Sequence, residues 1–230
     1  MRTGNFLKTI FITGINGLIG GILRRGLADQ YAIRGLDVNN DPPAQGVITA
    51  DISDYAQSLE ALRVCMPVDC VVHLAADPRP DAPWESVLAS NIIGTRNVFE
   101  AVRVLGVPKL VFASSLYATG DPRASDVEGS NPVAALRPIS DYGLSKAFGE
   151  TLARSYSDRY GIRSFCLRIG WVKPDGTQPP ECFRRVWFFQ SDLVAMIQHA
   201  IESDEPFAIH LGVSHTELWR TEIVVGTSHA

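Results

Sequence analysis

The chain has 230 residues, enough for one α/β domain with a full buried core, and no linker-like stretch divides it. A formal net charge of −4 at pH 7 leaves no basic footprint, which argues against a nucleic-acid partner. The four cysteines, Cys65, Cys70, Cys166 and Cys182, include no C-x-x-C pair, so they read as small buried hydrophobes of a reducing cytoplasm and not as a zinc site or disulfide framework.

Thr9 to Leu23 carries no charge and follows Arg2 and Lys8, the outline of an export signal. It is too short to span a bilayer, and its glycines fall where a nucleotide turn needs them, so a cytoplasmic protein without a membrane segment is expected. Ile10, Phe11 and Ile12 predict a buried strand, Gly14, Gly17 and Gly20 recur at intervals of three, and Leu18, Ile19, Ile22, Leu23 and Leu27 form an apolar helical stripe. Strand, glycine turn and helix start together describe a mononucleotide-binding turn. The first glycine allows the reversal, the second lets backbone approach a pyrophosphate, and the third lets the helix sit close to the sheet. Unpaired N–H groups around Asn16, Gly17 and Leu18 would face the phosphates at the positive end of the helix dipole.

Tyr31 to Val38 predicts a second strand with Asp37 near its C-terminal end, 23 residues after Gly14, where a carboxylate can accept from the adenosine ribose hydroxyls. A 2′-phosphate about 4 Å from that carboxylate would meet roughly 1 to 4 kcal/mol of repulsion. No basic residue follows in DVNND to relieve it, so NAD is favoured over NADP, with an ordinary turn aspartate as the competing reading. Val47 to Ala50 is a short third strand. Asp51 after it is placed to accept from an adenine amino group while Ile52 packs on the ring, or else to cap the helix predicted at Tyr55 to Arg63.

Val68 to Ala76 is apolar on both faces, as a central parallel strand should be, and its small end, Ala75-Ala76, lets the chain pass beneath a cofactor. His73 within it has no partner at metal-ligand spacing and reads as a core histidine. A proline-rich loop, Asp77 to Pro83, leads into a long helix from Trp84 to about Leu105. Asn91 inside that helix is locally unfavourable, so it either faces solvent or fixes a backbone group or water near the site. Lys109 to Ala113 predicts a fifth strand that delivers Ser114 and Ser115 to the sheet edge where ligands bind.

Gly120 to Pro138 is irregular and polar, the profile of a loop or lid. A helix then opens with Asp141 and runs to about Tyr160, and Tyr142 and Lys146 share one of its faces. A phenol with an ordinary pKa near 10 is a poor base at neutral pH; a cation one turn away would stabilise its phenolate. Arg163 to Ile169 is the next strand, Asp192 to Glu202 a helix and Phe207 to Leu211 a last strand, with Arg184 in the loop between as a candidate anion contact.

TGINGLIG (Thr13–Gly20), Asp37, Asp51-Ile52, HLAA (His73–Ala76), Asn91, FASS (Phe112–Ser115), YGLSK (Tyr142–Lys146) and RIG (Arg168–Gly170) together resemble the extended short-chain dehydrogenase/reductases, the NAD-dependent epimerase/dehydratase family. VFASS, YGLSKAFGE and Trp187 to Asp192 look most like its uronate dehydrogenases, and HLAADPRPDAPWESVL is similar to sugar-phosphate dehydrogenases of halophilic archaea. The resemblance implies a Rossmann-type, doubly wound parallel sheet with helices on both faces, in a single NAD-binding domain over residues 1–230. Residues 171–230 would contribute a reduced substrate-side region. It implies oxidation of a sugar C1 hydroxyl, on a hexuronate or hexose phosphate, to a lactone with NAD. Tyr142 would be the base, Lys146 would bind the nicotinamide ribose, and Ser115 would hold the sugar oxygen. Leu74, Ala75, Ala76, Asn91 and Ile169 would line the coenzyme.

Two departures bear on the substrate. Leu116-Tyr117 stand where uronate dehydrogenases have Asn-His, leaving Tyr117 as the substrate contact, and only Arg184 matches the carboxylate-binding arginine. The chain also ends soon after Trp219, where the family's chains continue, which implies a reduced cap or a shortened gene product. A nucleotide-sugar epimerase or dehydratase uses the same Ser-Tyr-Lys set and is the nearest alternative. A non-catalytic NAD-binding sensor is the second. The family often pairs through the helices carrying Asn91 and Tyr142, so a homo-oligomer is consistent with the resemblance.

Overall fold

The central runs of aliphatic and β-branched residues, Ile10–Thr13, Cys70–His73, Lys109–Ser115 and Ser164–Ile169, are buried on both sides, which they can be only in the middle layer of a three-layer sandwich. A computed structural model describes residues 7–121, 136–175, 177 and 181–214, with the side chains of residues 182, 184 and 185 excepted. Its strands are β1 (Thr9–Thr13), β2 (Ala32–Asp37), β3 (Val47–Thr49), β4 (Cys70–His73), β5 (Lys109–Ser115), β6 (Arg163–Ile169) and β7 (Phe207–Gly212). They form one parallel sheet in the order β3-β2-β1-β4-β5-β6-β7. Strand order reverses between β1 and β4, and a crevice opens at the C-terminal ends of strands flanking such a switch point. This is the doubly wound fold expected.

Alternation along each strand sorts the core into two halves. Ile10 and Ile12 join Leu23, Phe165, Leu193 and Ile197 on the side covered by α1 (Leu18–Leu27) and α6 (Gln190–Glu202). Phe11 between them joins Phe99, Phe112 and Tyr156 on the side covered by α2 (Tyr55–Arg63), α4 (Gly94–Leu105) and α5 (Asp141–Tyr160). No helix among the described residues is long and apolar enough to cross a membrane.

Three expected elements differ in ways that matter for the site. The fourth strand ends at His73, not Ala76: the Leu74 N–H is shared between the Thr13 carbonyl at 3.1 Å and the Thr13 hydroxyl at 3.2 Å, and the Ala75 N–H goes to that hydroxyl at 3.2 Å. The long helix is not uniform: α3 (Trp84–Ser86) passes into a π-helical stretch, Val87–Ile93, before α4. The wider turn falls where Asn91 points inward, the setting in which π-bulges often serve a site. The cap of α2 is Asp54, which accepts from the Ala56 and Gln57 N–H groups, so Asp51 is not needed there. Of the loop predicted at Gly120 to Pro138, residues 122–135 lie outside the described residues.

Beneath α5, Arg168 on β6 makes a two-pronged ion pair with Glu150, at 2.9 Å from Nε to Oε1 and 2.9 Å from Nη2 to Oε2. Both side chains are almost wholly buried, and Ser114 donates to the same carboxylate at 2.5 Å. The pair therefore ties α5 to β5 and β6 one turn beyond Lys146. Removing one partner strands the other charge in the core. Arg168→Met is expected to destabilise the fold by about 3 to 5 kcal/mol in urea unfolding, and adding Glu150→Leu should recover most of that loss.

Candidate active site

The crevice is a cavity of about 770 Å³ that runs across the C-terminal strand ends from the glycine turn to Trp171. At one end Gly14 has φ +71°, and a Cβ there would lie 2.8 Å from the Ala75 nitrogen. Only glycine lets the turn lie on the end of β4 in this way. Asn16, Gly17, Leu18 and Gly20 line the cavity beside it, and Leu74, Ala75 and Ala76 form the opposite wall.

Asp37 lies where β2 ends, and its carboxylate accepts from the Asn16 and Asn39 N–H groups at 2.9 and 3.0 Å. Arg24 reaches the same corner from α1, donating to Asn16 Oδ1 at 3.1 Å. Inspection of DVNND could not find that cation, because it arrives from another element. Asp51 and Ile52 both line the cavity; Asp51 is exposed and Ile52 is buried, its carbonyl held by Asn97 at 2.9 Å. A turn with glycine at 14 and 17, a carboxylate at the end of β2 and the apolar Ile52 fit a dinucleotide.

At the other end Ser115, Tyr117, Tyr142, Lys146 and Ile169 line the same cavity. Ser140 caps α5 by accepting from the Gly143 N–H at 3.1 Å. Gly143 brings the helix start against the turn Leu116–Ala118, since a Cβ there would stand 2.4 Å from the Tyr117 carbonyl oxygen. Tyr142 lines the cavity beside Ser115, and its ring meets that of Tyr117 edge-on at 5.8 Å. Lys146 Nζ donates to the Ala113 carbonyl at 2.8 Å and lies 5.5 Å from the centre of the Tyr142 ring.

The electrostatics differ from the sequence expectation. Burial pushes the Tyr142 hydroxyl up, the neighbouring Ser115 hydroxyl works against this, and Tyr117 and Asp77 add to it. Lys146, whose ammonium donates to the Ala113 carbonyl, is not among the groups that shift Tyr142. Desolvation lowers Lys146 itself to about 8.

Asn91 does not line the cavity. Its Oδ1 accepts from the Asp77 N–H at 2.7 Å, and its Nδ2 donates to the Asp77 carbonyl at 3.0 Å and to Ser145 Oγ at 3.1 Å. Ser145 in turn donates to the Tyr142 carbonyl at 2.7 Å. Asn91 thus braces the loop after β4 against the start of α5, the backbone-fixing role among those open to it, in place of the expected coenzyme contact. His73 is a core histidine: Thr13 lies 2.7 Å from Nδ1 and Thr95 3.1 Å from Nε2. The Thr13 oxygen already accepts two N–H groups, so its hydroxyl donates to Nδ1, and burial keeps the ring neutral by lowering it to about 3. The side chain of Arg184 lies outside the described residues, and so does its expected anion contact. Sequence reasoning missed Trp171 and Phe183, which close the cavity; their spacing carries no period that marks them.

The chain matches the model of the NAD dependent epimerase/dehydratase family over residues 10–181. It belongs to that family. It is 34% identical to the NAD-dependent glucose-6-phosphate dehydrogenase of Haloferax volcanii, over 91% of this chain and 86% of that one. It is 35% identical to the uronate dehydrogenase of Agrobacterium fabrum, over 84% and 71% of the two chains. The crystal structure of uronate dehydrogenase from Agrobacterium tumefaciens superposes with a TM-score of 0.81 at 30% identity, covering 92% of this chain and 79% of that one. This family member is therefore an NAD-dependent oxidoreductase of the extended short-chain type.

Two measurements probe the two ends of the cavity. Asp37→Asn removes the charge that repels a 2′-phosphate, and NADPH affinity by fluorescence titration should rise by about one to three decades. Between pH 8 and 10.5 the unfolded chain keeps the Lys146 proton that the folded chain has lost, so this group's contribution to stability rises with pH across that window. Urea unfolding of wild type relative to Lys146→Met at pH 7.5 and pH 10 should show that rise; a constant difference would mean that Lys146 is solvated.

Proposed function

We propose that this enzyme oxidises the C1 hydroxyl of a sugar to the lactone, with Tyr142 as general base. The observation that carries the reading is that Ser115, Tyr142 and Lys146 line one end of the cavity that begins at the Gly14 turn, with Lys146 Nζ 5.5 Å from the centre of the Tyr142 ring. Named relatives act on glucose 6-phosphate, uronates and, at 34% identity, L-arabinose, and these names support a sugar substrate.

Ser115 Oγ holds the oxygen of the reacting hydroxyl, and Tyr142 Oη takes its proton. NAD, when bound, supplies the acceptor for the hydride that leaves C1. Lys146 places a positive charge under the Tyr142 ring and anchors α5 to Ala113, fixing the phenol in register with Ser115. Asn91, through Ser145, holds the backbone of Tyr142 from the other side. Leu74, Ala75 and Ile169 keep water from this end of the cavity.

Because burial raises the Tyr142 hydroxyl, its base form is scarce at neutral pH, and kcat/KM for sugar oxidation should climb as pH rises above 7. Tyr142→Phe should lower kcat by about 10² to 10⁴-fold while NAD affinity stays within about twofold. A variant that oxidised sugar at the wild-type rate would remove Tyr142 from the reaction.

A further inference from the structure

Beyond Ser115 and Tyr142 the cavity is closed by Leu116, Tyr117, Trp171, Phe183 and Val186. Trp171 is the best-fixed of these. Its N–H donates to the Val186 carbonyl at 2.6 Å and its own carbonyl accepts from the Phe188 N–H at 3.0 Å. Its indole meets the Phe183 ring at 4.0 Å and the Trp187 ring at 5.8 Å, both edge-on. Leu116, Val186 and Val213 form a separate apolar cluster against which Trp171 and Phe183 pack. A large aromatic surface held this way offers contact at little entropic cost.

The charges around it point in one direction. Asp77 lines the same cavity, kept ionised by a two-pronged pair with Arg79 at 2.9 and 2.6 Å and by Ser86 at 2.6 Å. Its field is felt at the Tyr142 hydroxyl. Lys146, the one cation among the described residues that line the cavity, is turned to the Ala113 carbonyl. Among the described residues that line the cavity, no cation is thus left facing the aromatic wall to pair with a carboxylate or phosphate on the sugar. A neutral ring suffers no such conflict: its hydroxyls face Ser115 and Tyr142, and its weakly positive C–H face suits the negative face of an indole.

We propose that Trp171 is the stacking platform for the C–H face of the sugar, and that the substrate is an uncharged aldose, not a hexuronate or hexose phosphate. The proposal rests on the reading of the reaction given above. It makes Trp171 a specificity-determining residue.

The test uses the full chain with NAD, following NADH, against glucose, galactose, arabinose and xylose beside glucuronate, galacturonate and glucose 6-phosphate. Expected is a kcat/KM for the best aldose at least about tenfold above every charged sugar. Trp171→Ala, and Trp171→Leu, which stays apolar but loses the π face, should each raise the aldose KM about tenfold, with kcat and NAD affinity nearly unchanged. Trp171→Phe should restore most of the loss. An unchanged aldose KM in the leucine variant overturns the proposal and leaves the oxidation reading standing, and so does a preference for a charged sugar that Arg184→Ala abolishes. No NADH from any sugar, with NAD still bound, overturns the oxidation reading and this proposal together.

Discussion

The site depends on how closely the glycine turn after β1 approaches the end of β4. Gly14 lies against the Ala75 backbone with no room for a side chain, and Thr13, the residue before it, accepts both the Leu74 and Ala75 N–H groups. One hydroxyl therefore ties the residues after β4 to the end of β1 and fixes the wall opposite the turn. His73 carries the constraint on: neutral because it is buried, it links Thr13 to Thr95 on α4. A turn, a strand end and a helix are held in register by one polar chain in an otherwise apolar layer, where unpaired groups would be costly.

The reacting end is held by a different device. Three side chains clamp α5: Asn91 at the Tyr142 turn by way of Ser145, Lys146 to the carbonyl of Ala113, and Glu150 to Arg168 and Ser114. All three are buried, so each is strong if complete and destabilising if broken. Placing a charged or amide group at each successive turn of one helix costs folding free energy. The return is a phenol whose position cannot drift from Ser115, and small misplacements of reacting groups carry large penalties in rate.

Membership of the NAD-dependent epimerase/dehydratase family agrees with the half of the cavity lined by the glycine turn, Asp37 and Ile52. The substrate half is built from side chains on loops after β5 and β6, and loops are where members of one fold diverge. Leu116, Tyr117, Trp171 and Phe183 give that half an aromatic character, while relatives of similar identity carry names for different sugars.

Local periodicity was enough to read the order of strands and helices, because two-sided burial and helical stripes are written in neighbouring residues. Spacing was enough for the glycine turn, for Asp37, and for Tyr142 and Lys146 on one face, since those relations span one turn or one strand-helix unit. Contacts between distant segments were decided only by the tertiary structure. It brought Arg24 to the Asp37 corner, turned Asn91 from the coenzyme to the backbone of Asp77, moved the α2 cap to Asp54 and packed Trp171 on Phe183. It also set the desolvation of Tyr142, which depends on how completely the chain closes over a group and leaves no mark in the residues beside it.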